Sequence, residues 1–212
     1  QTCALPIWAG FGAAVGILLS FSVAGVKTSS FVCGILAVSL TWFISQRFGK
    51  GSDNLFLLIL GGIIVSNLFQ SLISLVKYAA DPTDKLPAIT FWLMGSLSKA
   101  TMQDVKIMLV PFAVCTGILI FCSGQLNILA LGDEEAKTLG VNTVLLQGFV
   151  IVTATVLTAF SVSFCGMIGW VGLVVPHLAR MMIGPNFKYL IPASALLGSS
   201  YLLIMDGFCR SV

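Results

Sequence analysis

The sequence predicts an all-α polytopic membrane protein. Of its 212 residues, 58% are hydrophobic and only 9% are charged, and the mean hydropathy is +1.04. Soluble domains carry about 25% charged residues. Charge-free runs occupy residues 1–26, 28–46, 54–76, 107–132 and 138–176, and 189–205 is nearly as long. A span takes about 20 apolar residues. The runs therefore predict about seven spans, near 9–26, 29–47, 54–77, 105–123, 142–163, 167–182 and 189–208.

Taken in order, Gln1–Ile7 read like the translation of a sequencing adapter and carry no functional weight, which leaves 8–212 as one transmembrane domain. The chain opens inside an apolar run and stops just after a span, so a fragment is expected. In the first span Gly12 and Gly16 form a GxxxG pair, which lets helix backbones approach closely. Arg47, Gly49, Lys50, Gly51 and Asp53 form a short polar turn after the second span. After the third, Ala79–Pro87 is a longer turn-rich loop that holds Asp81, Asp84 and Lys85. Ala88–Leu97 is apolar but too short to span. It reads as an interfacial or re-entrant helix with Trp92 at headgroup depth.

The run 138–176 is too long for one helix and is expected to turn around Phe164-Cys165-Gly166. Gly166, Gly169 and Gly172 recur every third residue ahead of Pro176, and Ser194 with Gly198 forms a small-xxx-small pair in the last span. Two readings of these small residues stand side by side, helix packing and the lining of a transport path. Gly184-Pro185-Asn186 with Lys188 turns the chain between the last two spans.

The segment Leu131-Gly132-Asp133-Glu134-Glu135-Ala136-Lys137-Thr138-Leu139-Gly140 gathers three consecutive acids between two long apolar runs. A short helix over 133–140 fits it. Asp133 is expected to cap its N-terminus, Glu134 and Glu135 to favour the positive end of the dipole, and Gly140 to supply the left-handed stop. Asn142 then caps the next span. A charged helix between two spans lies outside the hydrocarbon, open to another protein, and reads as a coupling element.

Several classes are disfavoured. No Asp, Glu, Lys or Arg falls at the middle of a predicted span, which argues against a proton relay or an ion-coupled carrier. No HExxH, nucleophile or P-loop motif occurs, and no basic run suits nucleic acid. Cys3, Cys33, Cys115, Cys122, Cys165 and Cys209 form no CxxC pair. His177, the only histidine, reads as a structural hydrogen bonder near a span's end. Asp206 and Arg210, four apart, read as an ion pair or as a docking point. Charge bias does not orient the chain. With the acidic loop inside, that side holds Arg47, Lys50, Lys137, Arg180 and Lys188 against Lys27, Lys77, Lys85, Lys99, Lys106 and Arg210. On composition alone, an ion-gradient-driven secondary transporter or channel and a non-transporting scaffold remain alternatives.

Four segments in order carry a family resemblance. Leu126–Asn142 resembles the signature of FecCD-type permeases, the membrane subunits of ABC importers for iron–siderophores, haem and cobalamin. Phe91-Trp92-Leu93-Met94-Gly95-Ser96-Leu97 resembles that family's FWLMGSL segment, and Gly166–Arg180 its G-x-I-G-F-V-G-L-V-V-P-H-x-A-R stretch, with Trp170 in place of Phe. Leu190–Gly198 followed by Asp206 fits its tail. The resemblance implies a ten-span fold of which this chain holds the third to the ninth. It implies a permease homodimer in a bacterial or archaeal cytoplasmic membrane, two cytoplasmic ATPase subunits and an external binding protein. The coupling helix would fit a cleft on each ATPase, and Asp81, Asp84, Lys85 and Arg210 become candidates for receiving the binding protein. The permease itself would bind no cofactor and catalyse nothing, with ATP and Mg used by its partner.

Overall fold

The computed structural model describes residues 4–48, 54–97, 101–168 and 171–211. Those residues form ten helices: α1 Ala4–Leu18, α2 Val23–Phe48, α3 Asn54–Ala79, α4 Lys85–Met94, α5 Met102–Phe121, α6 Ser123–Leu129, α7 Asp133–Thr138, α8 Thr143–Cys165, α9 Val171–Ile183 and α10 Phe187–Ser211. By length and composition, stretches of α3, α5, α8 and α10 suffice to cross a membrane, and shorter apolar stretches lie in α1, α2 and α9. Each of the seven overlaps one of the expected spans, with two boundaries that differ.

Hydroxyls within the spans are satisfied locally. Ser66, Ser71, Ser74, Ser161 and Ser194 each donate to the carbonyl four residues earlier. In hydrocarbon no water would serve them, so this back-bonding is what makes a serine tolerable there.

The chain divides into two compact units, Gln1–Met108 with Thr155–Ile168, and Leu109–Ala154 with Gly169–Val212. In the first, α1 packs against α2, α3 and α4. The GxxxG pair makes the α1–α2 contact. A Cβ on Gly12 would stand 2.5 Å from the Ser29 carbonyl oxygen, and one on Gly16 would stand 2.8 Å from the Ser29 hydroxyl. That hydroxyl donates to the Gly12 carbonyl at 3.0 Å. Trp8 stacks on Phe69 of α3 with ring centroids 3.5 Å apart. Ile89 of α4 is fully buried with Ala14 and Ala80, so the short helix after the loop is a packed element. The Lys85 ammonium donates to the Leu18 carbonyl at 2.6 Å, satisfying one of the acceptors that the end of α1 leaves free.

The first predicted span, 9–26, is corrected. α1 stops at Leu18, Ser20 takes φ 59°, and the Ser22 hydroxyl accepts the Gly25 N–H to start α2. A serine cap and one left-handed residue make this turn without proline or charge, and the apolar run concealed it. The expected turn at Phe164-Cys165-Gly166 is present: α8 ends at Cys165 and Gly166 takes φ 74°. This turn meets the end of α4 main chain to main chain. Ser96 N–H donates to the Cys165 carbonyl at 2.9 Å. A Cβ on Gly166 would lie 2.5 Å from the Trp92 carbonyl oxygen, and one on Gly95 2.7 Å from that of Met167.

In the second unit α9 packs on α10, α6 on α10 and α7 on α6. Val175 and Ala179 are the buried residues of α9. Gly198 faces Val175 at 3.6 Å, so the Ser194/Gly198 pair does serve helix packing. The fourth predicted span, 105–123, is also corrected: α5 ends at Phe121, and after Cys122 a separate helix, α6, begins.

Candidate functional site: the acidic helix and its supports

α7 is held at its ends by its own chain. It runs over Asp133–Thr138 with Gly132 as the N-cap at φ 132° and ψ 155°, and without a side-chain cap bond. Asp133 is therefore the first helical residue, not the cap. Glycine reaches the left-handed φ without penalty, and this frees the Asp133 carboxylate for another partner, the Gln147 side-chain amide of α8 at 2.9 Å. Glu135 folds its carboxylate back against Gly132. At the other end, Gly140 takes φ 78° as expected. Gly140 N–H bonds to the Lys137 carbonyl and Val141 N–H to that of Ala136, the double closure of a Schellman motif. The Asn142 side chain accepts the Leu145 N–H at 3.1 Å, so Asn142 caps α8 as expected.

The faces of α7 differ. Ala136 is fully buried, whereas Leu131 and Leu139, which flank the helix, are 66% and 60% exposed. Glu134 stands out at 88% side-chain exposure and pairs with Lys137 at 3.2 Å, a surface contact worth about 0.3–0.5 kcal/mol at most. Apolar side chains on either side of exposed carboxylates form a surface suited to an apolar notch with a basic rim.

α6, on which α7 packs, is tied to the start of α10 through Asn127. Its amide donates to Asn186 Oδ1 at 3.0 Å and its carbonyl oxygen accepts the Phe187 N–H at 2.9 Å. Neither Asn127 nor Gln147 belongs to a spacing that sequence reasoning could single out, since each is one polar residue among apolar neighbours.

The other expected positions behave variously. Gly166 ends α8 and α9 begins only at Val171, so Gly166 and Gly172 do not share a helix face. Among the described residues nothing lies within 4 Å of where a Cβ on Gly172 would stand; Gly169 lies outside the described residues, as do Trp170, Lys99, Gln1–Cys3 and the turn 49–53. Pro176 sits inside α9. His177 is exposed, and its expected hydrogen bond is not found among the described residues. Arg210 Nε donates to Asp206 Oδ2 at 2.7 Å, the expected i,i+4 pair.

In the loop before α4, Asp81 accepts both the hydroxyl and the N–H of Thr83. These bonds, the hydroxyl's first, hold its carboxyl below the usual range. Asp84 precedes α4 as its N-cap without a side-chain bond, and Lys85 is engaged by Leu18. One pair escaped notice altogether: Lys27 at the start of α2 and Asp104 at the start of α5 form an ion pair of 2.6 Å.

Bundled apolar helices with a capped, charged helix inserted between two of them define an integral membrane protein of the transport permease class. A profile of the FecCD transport family matches residues 5–212, and the chain belongs to that family. It is 41% identical to the molybdate import system permease protein MolB of Haemophilus influenzae over 95% of its own length and 59% of the relative's. It is 37% identical to the hemin transport system permease protein HmuU of Yersinia pestis, over 84% and 53%. It is also similar to a solved inward-facing structure described as a metal-chelate type ABC transporter. The TM-score is 0.92 and the identity 38%, covering all of this chain and 67% of the other. The chain thus spans about 59% of the MolB length.

Proposed function

We propose that the chain is the membrane-spanning part of an ATP-driven, binding-protein-dependent importer, with α7 as its coupling helix. Its cargo is a metal-containing solute: an iron–siderophore, haem, cobalamin or, given the similarity to MolB, a metal oxyanion. The observation that carries the reading is α7 itself, closed by the Gly140 turn, buried at Ala136 and leaving Leu131, Glu134 and Leu139 exposed.

In this mechanism two permease copies enclose the path in a bacterial or archaeal cytoplasmic membrane. Gly172, with no described residue within 4 Å of its Cβ position, leaves room for a second copy or for the path. Two cytoplasmic ATPase subunits receive α7, and ATP with Mg is consumed there, while the permease makes and breaks no bonds. Closure of the ATPases pushes α7, and the attached spans tilt. A binding protein delivers the solute to charged rim residues, for which Arg210, Asp81 and Asp84 are candidates. Lys85 is less available, because its ammonium already serves Leu18.

The test is Glu134→Lys with Glu135→Lys in the assembled transporter. Each reversal places a positive charge at a helix N-terminus, a change of about 0.3–1 kcal/mol, and turns any basic contact across the interface repulsive. Membrane insertion is expected to persist while solute uptake per ATP collapses. Wild-type uptake per ATP would end the coupling role.

A further inference from the structure

We infer that Asn127 and Gln147 are the positioning residues that tie the coupling helix to the spans it moves, one tie to α10 through α6 and one to α8. The inference rests on the coupling role proposed for α7.

A six-residue helix has little stability of its own, since isolated helices below about 12 residues are marginal in water. α7 buries one side chain, Ala136, and packs on α6, so α6 and α7 form one short block. α6 also packs on α10, though that apolar contact is incomplete. An apolar cavity of about 390 Å³ lies among Leu119, Leu126, Leu129, Val150, Phe187 and Ile191, that is, between α6 and the walls formed by α5, α8 and α10. Where this pocket opens, the helices forgo part of the dispersion contact that close packing would give.

Two polar ties add to this packing. Asn127 uses both ends of its amide, donating to Asn186 and accepting from the Phe187 N–H. Phe187 lines the cavity and opens α10, so the bond fixes a wall residue by its main chain. Asn186 Oδ1 accepts the Lys188 N–H as well, so Asn127 grips the cap of α10. On the other side Gln147 donates to the Asp133 carboxylate at 2.9 Å. A charged acceptor makes this the stronger type of hydrogen bond, and it joins the first residue of α7 to the first turns of α8. Displacement of α7 therefore reaches α8 and α10 through two amides.

The experiment measures ATP hydrolysis and solute uptake together in the permease reconstituted with its ATPase and binding protein. Asn127→Ala combined with Gln147→Ala is expected to leave ATP hydrolysis within about twofold and the KM for solute unchanged, while uptake per ATP falls about tenfold, the scale of losing bonds of this kind. Asn127→Asp keeps the acceptor for Phe187 N–H and loses the donor to Asn186. It gives an intermediate ratio and decides the matter if the double variant assembles poorly. A wild-type ratio in these variants, with Glu134→Lys/Glu135→Lys uncoupled, overturns the positioning role and leaves the coupling role standing. A wild-type ratio in both sets overturns both.

Discussion

Lys27 Nζ lies 2.6 Å from Asp104 Oδ1, joining the first turn of α2 to the first turn of α5 across 77 residues of sequence. The other carboxylate oxygen accepts the hydroxyl and the N–H of Thr101, and the Asp104 N–H returns to the Thr101 hydroxyl at 3.3 Å, a reciprocal cap. The Lys27 ammonium also sits 4.6 Å from the Phe164 ring centroid. Each charge thus has partners beyond the other, which is what makes a partly buried pair tolerable.

Removal of either charge orphans the rest of that cluster. Lys27→Ala and Asp104→Ala are each expected to lower the melting temperature of the purified protein by about 2–5 °C. The swap Lys27→Asp with Asp104→Lys should recover part of the loss. A swap no better than the sum of the single changes would show that Thr101 and Phe164, not the pair, hold the start of α5.

Glycine positions divide by what surrounds them. Gly12→Leu forces a side chain into the Ser29 main chain and should destabilise by about 1–3 kcal/mol, with loss of folded protein. Gly166→Ala combines a left-handed φ with a contact on the Trp92 carbonyl and should destabilise comparably, by about 1–3 kcal/mol. Gly172→Ala should leave the melting temperature unchanged. Equal effects at all three sites would contradict the packing described.

Arg210 is 60% exposed and its pair with Asp206 is short, but an exposed i,i+4 pair contributes about 0.3–0.5 kcal/mol. Arg210→Glu is therefore expected to leave folding intact and to weaken association with the binding protein, more at low salt than at high. Titration of binding protein against the reconstituted variant at two salt concentrations checks this. An unaltered affinity at both removes Arg210 from the docking rim.

The loop before α4 should respond to acid. Asp81 has its carboxyl lowered from 3.8 by Thr83. The contribution of these bonds is thus fully present above the unfolded value and is lost as pH falls through the lower folded value. Amide exchange at 81–84 should accelerate in that acidic window, and Thr83→Val should abolish most of the acceleration. Identical exchange profiles in the two proteins would disconnect Thr83 from the loop's order.

The apolar helices and the acidic helix were legible because each rests on a contiguous pattern. Charge-free length marks the spans, and Gly140 and Asn142 act on neighbours within four residues. Where reading failed, the determinant was local but silent, or distant. Leu19–Ser22 breaks a helix through a serine cap and one left-handed residue, with no proline, glycine or charge to mark it. Gly132 took the cap position because it alone reaches φ 132°, and the more familiar capping residue beside it found Gln147. The every-third spacing of Gly166, Gly169 and Gly172 runs across the turn after α8 and so does not mark one helix face. Lys27–Asp104 and Asn127–Asn186 are pairings across 77 and 59 positions, which no spacing rule encodes.

The Gly140 closure of α7, with the Asp133–Gln147 bond at its start, also fixes its phase. One residue inserted between Glu134 and Ala136 would rotate everything beyond it by about 100°. Ala136 would swing into water, and a longer side chain would enter the space on α6 that only a methyl group fills. The Gly140 stop and the Asn142 cap would then start α8 from a different azimuth. Within this segment the length of the chain is therefore as strict a requirement as its chemistry, and a single-codon insertion is more disruptive than reversing an exposed charge.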